Sequence, residues 1–425
     1  MKLLITLLFF FGGNINAQST ATTHVWTLDD CLNYALENNP KVKAAKENID
    51  SVRYSNYVAK SEFIPKIFSN YNYLKNSNAM IPTVNSDDAY TLSLGVSNTL
   101  YSWKLSPTFK VADISLDIAK AIYNSERNTL VFNVKKGFYA ALLASQVYKI
   151  NMAAESVARD NYETTKALYN EGKASTFDVS TAKVRWVDSE AALISSENNL
   201  RVVMESLKTL LSLPPNEDME IKGEFDVSTK TFVLDDSIRD ALIFRPEIIQ
   251  SKKAVDLSNQ NLKIANSGFL PSLTGSFTYS WSSPDASLDF SGQYNNSVLQ
   301  FAISIPLFDG AASIGKRNAA KSEIKKSEMG LRAIMDSVVM QTKQSYYSIE
   351  SSKKSLEAQK ENVSTAEENL KIAQQRYALG FLSHLELKDA ELSLISAQTQ
   401  FVQTSYDYNV AIASFEYAIG LPYRQ

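Results

Sequence analysis

The chain is written twice, so it folds as two copies of one unit. Leu28-Asp29-Asp30 returns as Leu234-Asp235-Asp236, Ala35 as Ala241, Pro40 as Pro246 and Ala59 as Ala265. Ser61-Glu62-Phe63-Ile64-Pro65 returns as Ser267-Gly268-Phe269-Leu270-Pro271, still at an offset of 206. Further on, Tyr169 and Gly172 match Tyr377 and Gly380, and Leu213-Pro214 matches Leu421-Pro422, at an offset of 208. Such close register divides the chain into a first repeat over 18–215, a charged and aperiodic linker over 216–232, and a second repeat over 233–425.

Proline punctuates both repeats alike. None lies between Pro107 and Pro214, or between Pro306 and Pro422. Proline breaks helix interiors, so these spans are where long helices can form. The stretches before them alternate instead. Leu92, Leu94 and Val96 are spaced by Ser93 and Gly95, and Leu299, Phe301, Ile303 and Ile305 by Gln300, Ala302 and Ser304. Leu273, Phe277, Tyr279 and Trp281 alternate with serines and threonines, and Ile67 to Leu74 does so less cleanly. A period of two predicts strands, giving one strand pair over about 67–101 and a second over about 272–307. Loops with Pro82 and Pro284 join the strands of each pair.

After each strand pair the period changes. Val179, Trp186, Leu193, Leu200 and Leu207 fall seven apart, as do Leu387, Leu394, Phe401, Tyr408 and Phe415. Small residues follow three positions later, among them Ala182, Ser189, Ser196, Ala390, Ala397 and Ala411. Leu356, Val363, Leu370 and Tyr377 repeat the pattern in the preceding arm, whereas Glu155 interrupts its counterpart of Tyr148, Tyr162 and Tyr169. Heptads with small companions predict closely packed, supercoiled helical hairpins, here over about 107–212 and 311–420. The span from Pro107 to Tyr169 would be roughly 95 Å long as helix. Heptads alone also fit a soluble coiled-coil rod; the strands decide against it. Four strands cannot close a barrel, which needs about eight, and open edges are not tolerated in lipid. Three copies supply twelve. The expected fold is therefore mainly α with a membrane β-barrel part: a tandem-repeat protomer that completes a 12-stranded barrel and an α-helical tunnel as a homotrimer in outer membrane lipid.

Composition narrows the chemistry. The 425 residues carry a net charge of −3, which gives no reason to expect nucleic acid as a partner. Cys31 is the single cysteine, and His24 and His384 are the only histidines, so neither a metal centre nor a His-based catalytic triad is expected. No Gly-rich phosphate loop or nucleophile motif stands in for them, so the chain reads as no enzyme, with no cofactor. Residues 1–17 read as an export signal, with Lys2, an apolar stretch from Leu3 to Phe11, and Ala17 at the cut. No later run of 18 apolar residues occurs, so entry into a membrane must be as a barrel. Tyr71, Tyr73, Tyr90, Tyr101, Trp103, Tyr279, Trp281 and Tyr294 stand near the strand ends and suit aromatic girdles, although a soluble β core would also hold them. Leu92, Leu94, Leu299, Phe301 and Ile303 are the expected membrane-facing residues.

The export signal, tandem halves and order of helix, strand pair and long hairpin together resemble the TolC family of outer membrane efflux proteins. The duplicated L-D-D-x4-A-x4-P start, the duplicated A-x-S-x-F-[IL]-P segment and the paired hairpin tips carry the likeness, over about residues 26–423. The tips read Tyr169-Asn170-Glu171-Gly172 followed by Asp178, and Tyr377-Ala378-Leu379-Gly380 followed by Glu386. The resemblance implies a passive duct, located in the outer membrane with its helical part in the periplasm. It implies docking through these tips, at Tyr169, Gly172 and Gly380, onto a periplasmic adaptor and an inner-membrane transporter. The duct could equally serve type I protein secretion, and a pore-less periplasmic scaffold is the rival outside that class. Glu386 and Asp389 match the family's acidic ring at the entrance, and Asp178 and Tyr377 match positions that hold it closed. Read from the residues alone, Glu386 and Asp389 share a helical face that also suits simple solvation, and the glycines also suit ordinary helix caps. Leu382 stands where the family's best-known member has a gate arginine, so the family's polar lock does not carry over here and the entrance is expected to close differently or less tightly.

Overall fold

The computed structural model describes residues 24–75, 88–214, 216–226, 231–283 and 295–421. The export signal over 1–17, Pro82, Pro284, Tyr294 and Pro422 lie outside them. Each repeat opens with a short helix and a longer one: α1 (Leu28–Asn38) and α2 (Pro40–Ser61), then α5 (Leu234–Phe244) and α6 (Pro246–Ser267). Thr27 starts α1 by accepting from the Asp30 amide at 3.3 Å while Asp30 accepts from the Thr27 amide at 3.0 Å, a capping box. Asn39 and Arg245 break the helix pairs in extended conformation, and Pro40 and Pro246 restart them where a missing N–H is harmless.

The helices lead into β2 (Lys66–Lys75) and β3 (Asp88–Ser102), and into β5 (Ser272–Ser283) and β6 (Asn295–Ser304). The four form one antiparallel sheet in the order β2-β3-β5-β6. Beyond them run α3 (Leu105–Asn170) with α4 (Thr176–Leu211), and α7 (Ala312–Ala378) with α8 (His384–Ala418). With 66 and 67 residues, α3 and α7 are each roughly 100 Å long. No helix among the described residues is long and apolar enough to cross a membrane.

Register decides which side chains share a face, because opposed residues in a sheet point the same way. Val96 pairs with Ile67 and Phe277, and Phe277 with Leu299. Leu92 pairs with Tyr71 and Trp281, Leu94 with Tyr279, Gly275 with Phe301, and Leu273 with Ile303. The separate alternations thus merge into one apolar face. The other carries Asn70, Thr91, Ser93, Ser97, Thr278, Ser280, Asn296 and Gln300. Strict alternation would send Tyr101 to that polar face. A bulge between Thr99 and Tyr101 adds one residue, so Tyr101 opposes Leu273 on the apolar side and Leu100 leans over Gly275. On the polar side the Phe68 ring occupies the place where a Cβ of Gly95 would be, so the sheet needs glycine there. Tyr73 stacks on Tyr90 at 4.9 Å at one end of the apolar face, and Tyr101 meets Trp103 at 5.8 Å at the other. The eleven residue-to-residue steps from Tyr90 to Tyr101 amount to roughly 36 Å of strand, or roughly 25 Å of height at a 45° tilt, the thickness of an outer-membrane apolar band.

Below the sheet the helices repeat its order. α2 packs on α3, α3 on α6 and α6 on α7, and farther down α4 packs on α3, α3 on α8 and α8 on α7. The main core sits where the first repeat turns back on itself. Cys31, Leu32, Ala35, Val134, Phe138, Leu207 and Leu211 are buried together there, and burial pushes the Cys31 thiol up to about 12. Repeat-equivalent residues close both hairpins. Asn39 Nδ2 donates to the Leu210 carbonyl at 3.2 Å, near the end of α4. Arg245 donates to the Tyr417 and Ala418 carbonyls at 3.3 and 3.2 Å, supplying a cation at the negative end of α8. The linker is also tied down. β4 (Met219–Ile221) pairs in parallel with β1 (His24–Trp26), and the Asn409 amide exchanges two hydrogen bonds of 3.2 Å with the Asp226 backbone.

Glu155, the residue that breaks the heptads of α3, stays in the seam and is only 5% exposed. Its carboxylate accepts from Arg159 one turn along and, at 2.9 Å, from Trp186 Nε1 on α4. These donors hold its pKa below the usual carboxylate range, with Arg159 the larger influence. An acid is tolerated in the seam because both of its oxygens face donors.

Two outcomes are expected. Leu299→Asp, in the middle of the apolar face opposite Phe277, blocks assembly in outer membranes because a mid-face carboxylate costs about 2 kcal/mol against lipid; Gln300→Asp leaves it intact. Heat-modifiability on gels checks this, and equal behaviour of both variants would show that the alternation does not separate a lipid face from a wet one. Glu155→Ala strands the Trp186 N–H and lowers the unfolding midpoint at neutral pH. Because the folded pKa is depressed, the wild-type advantage holds above the ordinary carboxylate range and disappears as pH falls through the folded value; melting curves from neutral into acid pH read it.

Candidate functional site

The long helices turn at two tips built by the same rules. At the end of α3, Gly172 takes φ of 74°; its amide donates to Tyr169 O at 2.9 Å, and the Lys173 amide to Leu168 O at 2.9 Å. At the end of α7, Gly380 takes φ of 76°; its amide donates to Tyr377 O at 3.0 Å, and the Phe381 amide to Arg376 O at 2.9 Å. This is the Schellman closure, which wants glycine because a side chain is strained at positive φ. A Cβ at either glycine would meet nothing within 4 Å, so backbone shape and not space selects the residue.

Three residues on, a serine starts the return helix. Ser175 Oγ accepts from the Asp178 amide at 3.2 Å, and Asp178 accepts from the Ser175 amide at 2.9 Å. Ser383 Oγ accepts from the Glu386 amide at 3.3 Å, and Glu386 accepts from the Ser383 amide at 2.9 Å. Asp178 and Glu386 are therefore the third residues of two capping boxes, each also accepting from its serine hydroxyl at 2.7 Å. The Ser383 hydroxyl and amide hold the Glu386 carboxyl below its usual range, with Arg376 helping. Exposed Asp389 follows one turn later. At about 100° per residue, Lys388 and Glu391 lie on the opposite side of α8. They pair at 2.6 Å inside a groove between the two hairpins, which turns that lysine's charge away from the Glu386 side.

Of the residues expected at an entrance, Tyr377, Glu386 and Asp389 share the second tip and Asp178 stands on the first. The tips lie at the same end, since residues near both, including Asn161, Ala182, Gln374 and Lys388, line one groove of about 570 Å³. Tyr169 and Tyr377 are exposed, and Leu382 is half-buried. The sequence reading passed over the apolar residues around the turns. Phe177 is 77% exposed on the first tip, and Leu379, Phe381 and Leu385 are exposed on the second. Their signal was present: large apolar residues off the heptad seam, beside a turn that would otherwise be polar.

A family model described as outer membrane efflux protein matches the chain over residues 31–212 and again over 237–421. The chain is 22% identical over 404 residues to the alkaline protease secretion protein AprF of Pseudomonas aeruginosa, covering 92% of this chain and 84% of that one. It is 23% identical over 416 residues to the outer membrane protein TolC of Vibrio cholerae serotype O1, covering 95% and 93%. Its fold matches the structure of the outer membrane protein VceC of Vibrio cholerae with a TM-score of 0.80 at 18% identity, over 92% of this chain and 96% of that one. With one family match in each repeat and most of the chain covered, the protein belongs to the outer membrane efflux protein family.

Proposed function

We propose that three copies of the chain close into a passive duct across the outer membrane, continued by a helical tunnel toward the inner membrane. The observation that carries this is the sheet: one face mostly apolar, the other mostly hydroxyl- and amide-lined, and two edges, β2 and β6, unpaired among the described residues. β6 runs antiparallel to β2, so joining β6 of one copy to β2 of the next continues the alternation and removes both edges. Twelve strands put Leu92, Leu94, Leu299, Phe301 and Ile303 against lipid and the face of Asn70, Ser93, Ser280 and Gln300 in water. Residues 1–17 direct export and are removed.

The hairpin tips are the docking surface for a periplasmic adaptor that delivers cargo from an inner-membrane transporter. Exposed Phe177, Phe381 and Leu385 support this, because aromatic residues left in water beside a rigid turn suit a partner's apolar hot spot. Tyr169 and the glycines give the surface its shape. Glu386 and Asp389, three copies of each, ring the entrance, with Asp178 and Tyr377 beside it and Leu382 in place of a charged lock. Similarity to AprF favours protein export as the second reading of the cargo, through the same duct.

Planar-bilayer recording tests the duct: purified protein forms channels that prefer cations, and Glu386→Ala with Asp389→Ala shifts the reversal potential toward zero. An unchanged potential places both carboxylates outside the lumen. Because its capping bonds depress the Glu386 pKa, its share of the preference persists below the ordinary carboxylate range and fades only as pH falls through that lower value. Phe381→Ser with Leu385→Ser is expected to abolish export and adaptor crosslinking while the amount of folded protein is unchanged. Loss of folded protein together with export would make these residues part of the hairpin's own packing.

A further inference from the structure

The end of α8 is clamped against the break between α5 and α6. Gly420 takes φ of 70°, and a Cβ there would stand 2.9 Å from the Arg245 amide nitrogen, so the approach needs glycine. The Arg245 guanidinium lies over the Tyr417 ring at 4.8 Å. Beside this clamp, α3, α5, α6 and Gly420 enclose a cavity of about 350 Å³. One wall is apolar, with Phe244 50% exposed and Ile249 38% exposed beside Val131. The other holds Lys120, Arg127 and Lys253 with the amides of Asn124 and Asn128.

Three cations line this cavity with one carboxylate. Asp117 takes Lys253 at 2.8 Å and stands 4.0 Å from Lys120. Arg127 lies over the Tyr123 ring at 5.8 Å and forms no ion pair among the described residues. Positive charge is therefore in excess beside an apolar wall. Neither feature is demanded by the repeat. Leu130 packs into the core of α1 and Val338 into that of α5, so α3 and α7 match here at an offset of 208. At that offset Lys120 and Arg127 give way to Glu328 and Met335. At the offset of 206, Phe244, Ile249 and Lys253 are replaced in the first repeat by Asn38, Lys43 and Glu47. The same helices thus pack with either set of residues, and the lining of the cavity answers to something other than the fold.

We propose that this cavity binds a small organic anion, a carboxylate carried on a flat apolar body. Arg127 and Lys120 receive the carboxylate, Arg127 through the two parallel N–H bonds that its planar fork offers. Asn124 and Asn128 donate to the remaining lone pairs, while Phe244, Ile249 and Val131 cover the apolar body. The volume falls at the lower end of the range for small-molecule pockets. A neutral apolar compound would leave the cations unanswered, and an inorganic anion would leave the apolar wall wet. An anion with an apolar part satisfies both walls. All the lining residues belong to one chain, so the site does not depend on threefold closure. Its occupant touches α3 of the first repeat and α5 and α6 of the second, and so ties the repeats together.

Calorimetric titration of naphthalene-2-carboxylate into the full-length protein in a non-ionic detergent tests it. Detergent alone is the blank, and naphthalene-2-methanol is the uncharged probe. The carboxylate is expected to bind in the submillimolar range, and the alcohol at least about tenfold more weakly. Lys120→Gln with Arg127→Gln is expected to weaken the carboxylate at least about tenfold and to leave the alcohol unchanged. Asn124→Asp, at an exposed position, sets a second carboxylate among the cations and is expected to act in the same direction. It keeps the test open should the double variant fail to fold. Bound carboxylate is also expected to raise the unfolding midpoint of the wild type and not of the variants. No heat above the blank, equal binding of the two probes, or carboxylate binding indifferent to these substitutions would each overturn the site.

Discussion

A strand edge carries a row of N–H and C=O groups that must find partners, and in hydrocarbon water cannot supply them. The order β2-β3-β5-β6 leaves two such rows in each chain, at the edges of an apolar-faced sheet. The rest of the architecture follows from that constraint. Duplication of the unit doubles a strand pair to four and still leaves the edges open; only copies of the chain can close them. Since α2, α3, α6 and α7 follow the strand order, whatever closes the sheet also closes the helical wall below it. The long helices are then continuations of the barrel staves, and their length sets the reach of the duct.

The two repeats share backbone rules but not tip chemistry. Both tips close with a left-handed glycine and restart with a serine capping box. Around that common frame the first tip carries Glu171 and Lys173, paired at 2.7 Å, while the second carries Leu379 and Phe381 at the equivalent positions. An exposed ion pair contributes little binding energy, whereas exposed aromatic and aliphatic side chains contribute much when covered. The six turns of a trimer would thus alternate between polar and apolar, beside an exposed apolar side chain common to both tips, Phe177 on the first and Leu385 on the second. For the docking proposed above, the second tip offers the larger apolar surface.

Much of this was legible in the sequence because it rests on period. The alternation at Leu92–Leu94–Val96 and Leu299–Phe301–Ile303, and the heptads from Val179 and Leu387, report faces that are buried or shared in the structure. Elements without a period were not legible. The bulge that turns Tyr101 to the apolar face depends on one extra residue at Leu100, which alternation cannot register. β1 and β4 are three residues each, too short to alternate, and the clasp of Asn409 on Asp226 joins segments 183 residues apart. Glu155 read as a flaw in the heptads because its compensation, Trp186 on the other helix, is visible only once the hairpin is closed.

The candidate site shows a different limit. Sequence spacing marked Asp178 and Glu386 because equivalents in the family stand at an entrance, but the structure gives each a local duty as a capping residue. The two roles do not compete. A cap fixes the carboxylate's position and keeps it ionised, so an acid that starts a helix is a better charge for a ring than one on a free side chain. The cap also explains why hairpin tips, rather than helix midpoints, are where such a ring can form without destabilising the fold. There the first turn of α8 presents free backbone N–H groups and a positive dipole end, which favour an acid at Glu386. Asp389 lies beyond the capping box, and its charge has no evident purpose in the hairpin. Of the two, it is Asp389 whose presence argues for a function beyond the fold.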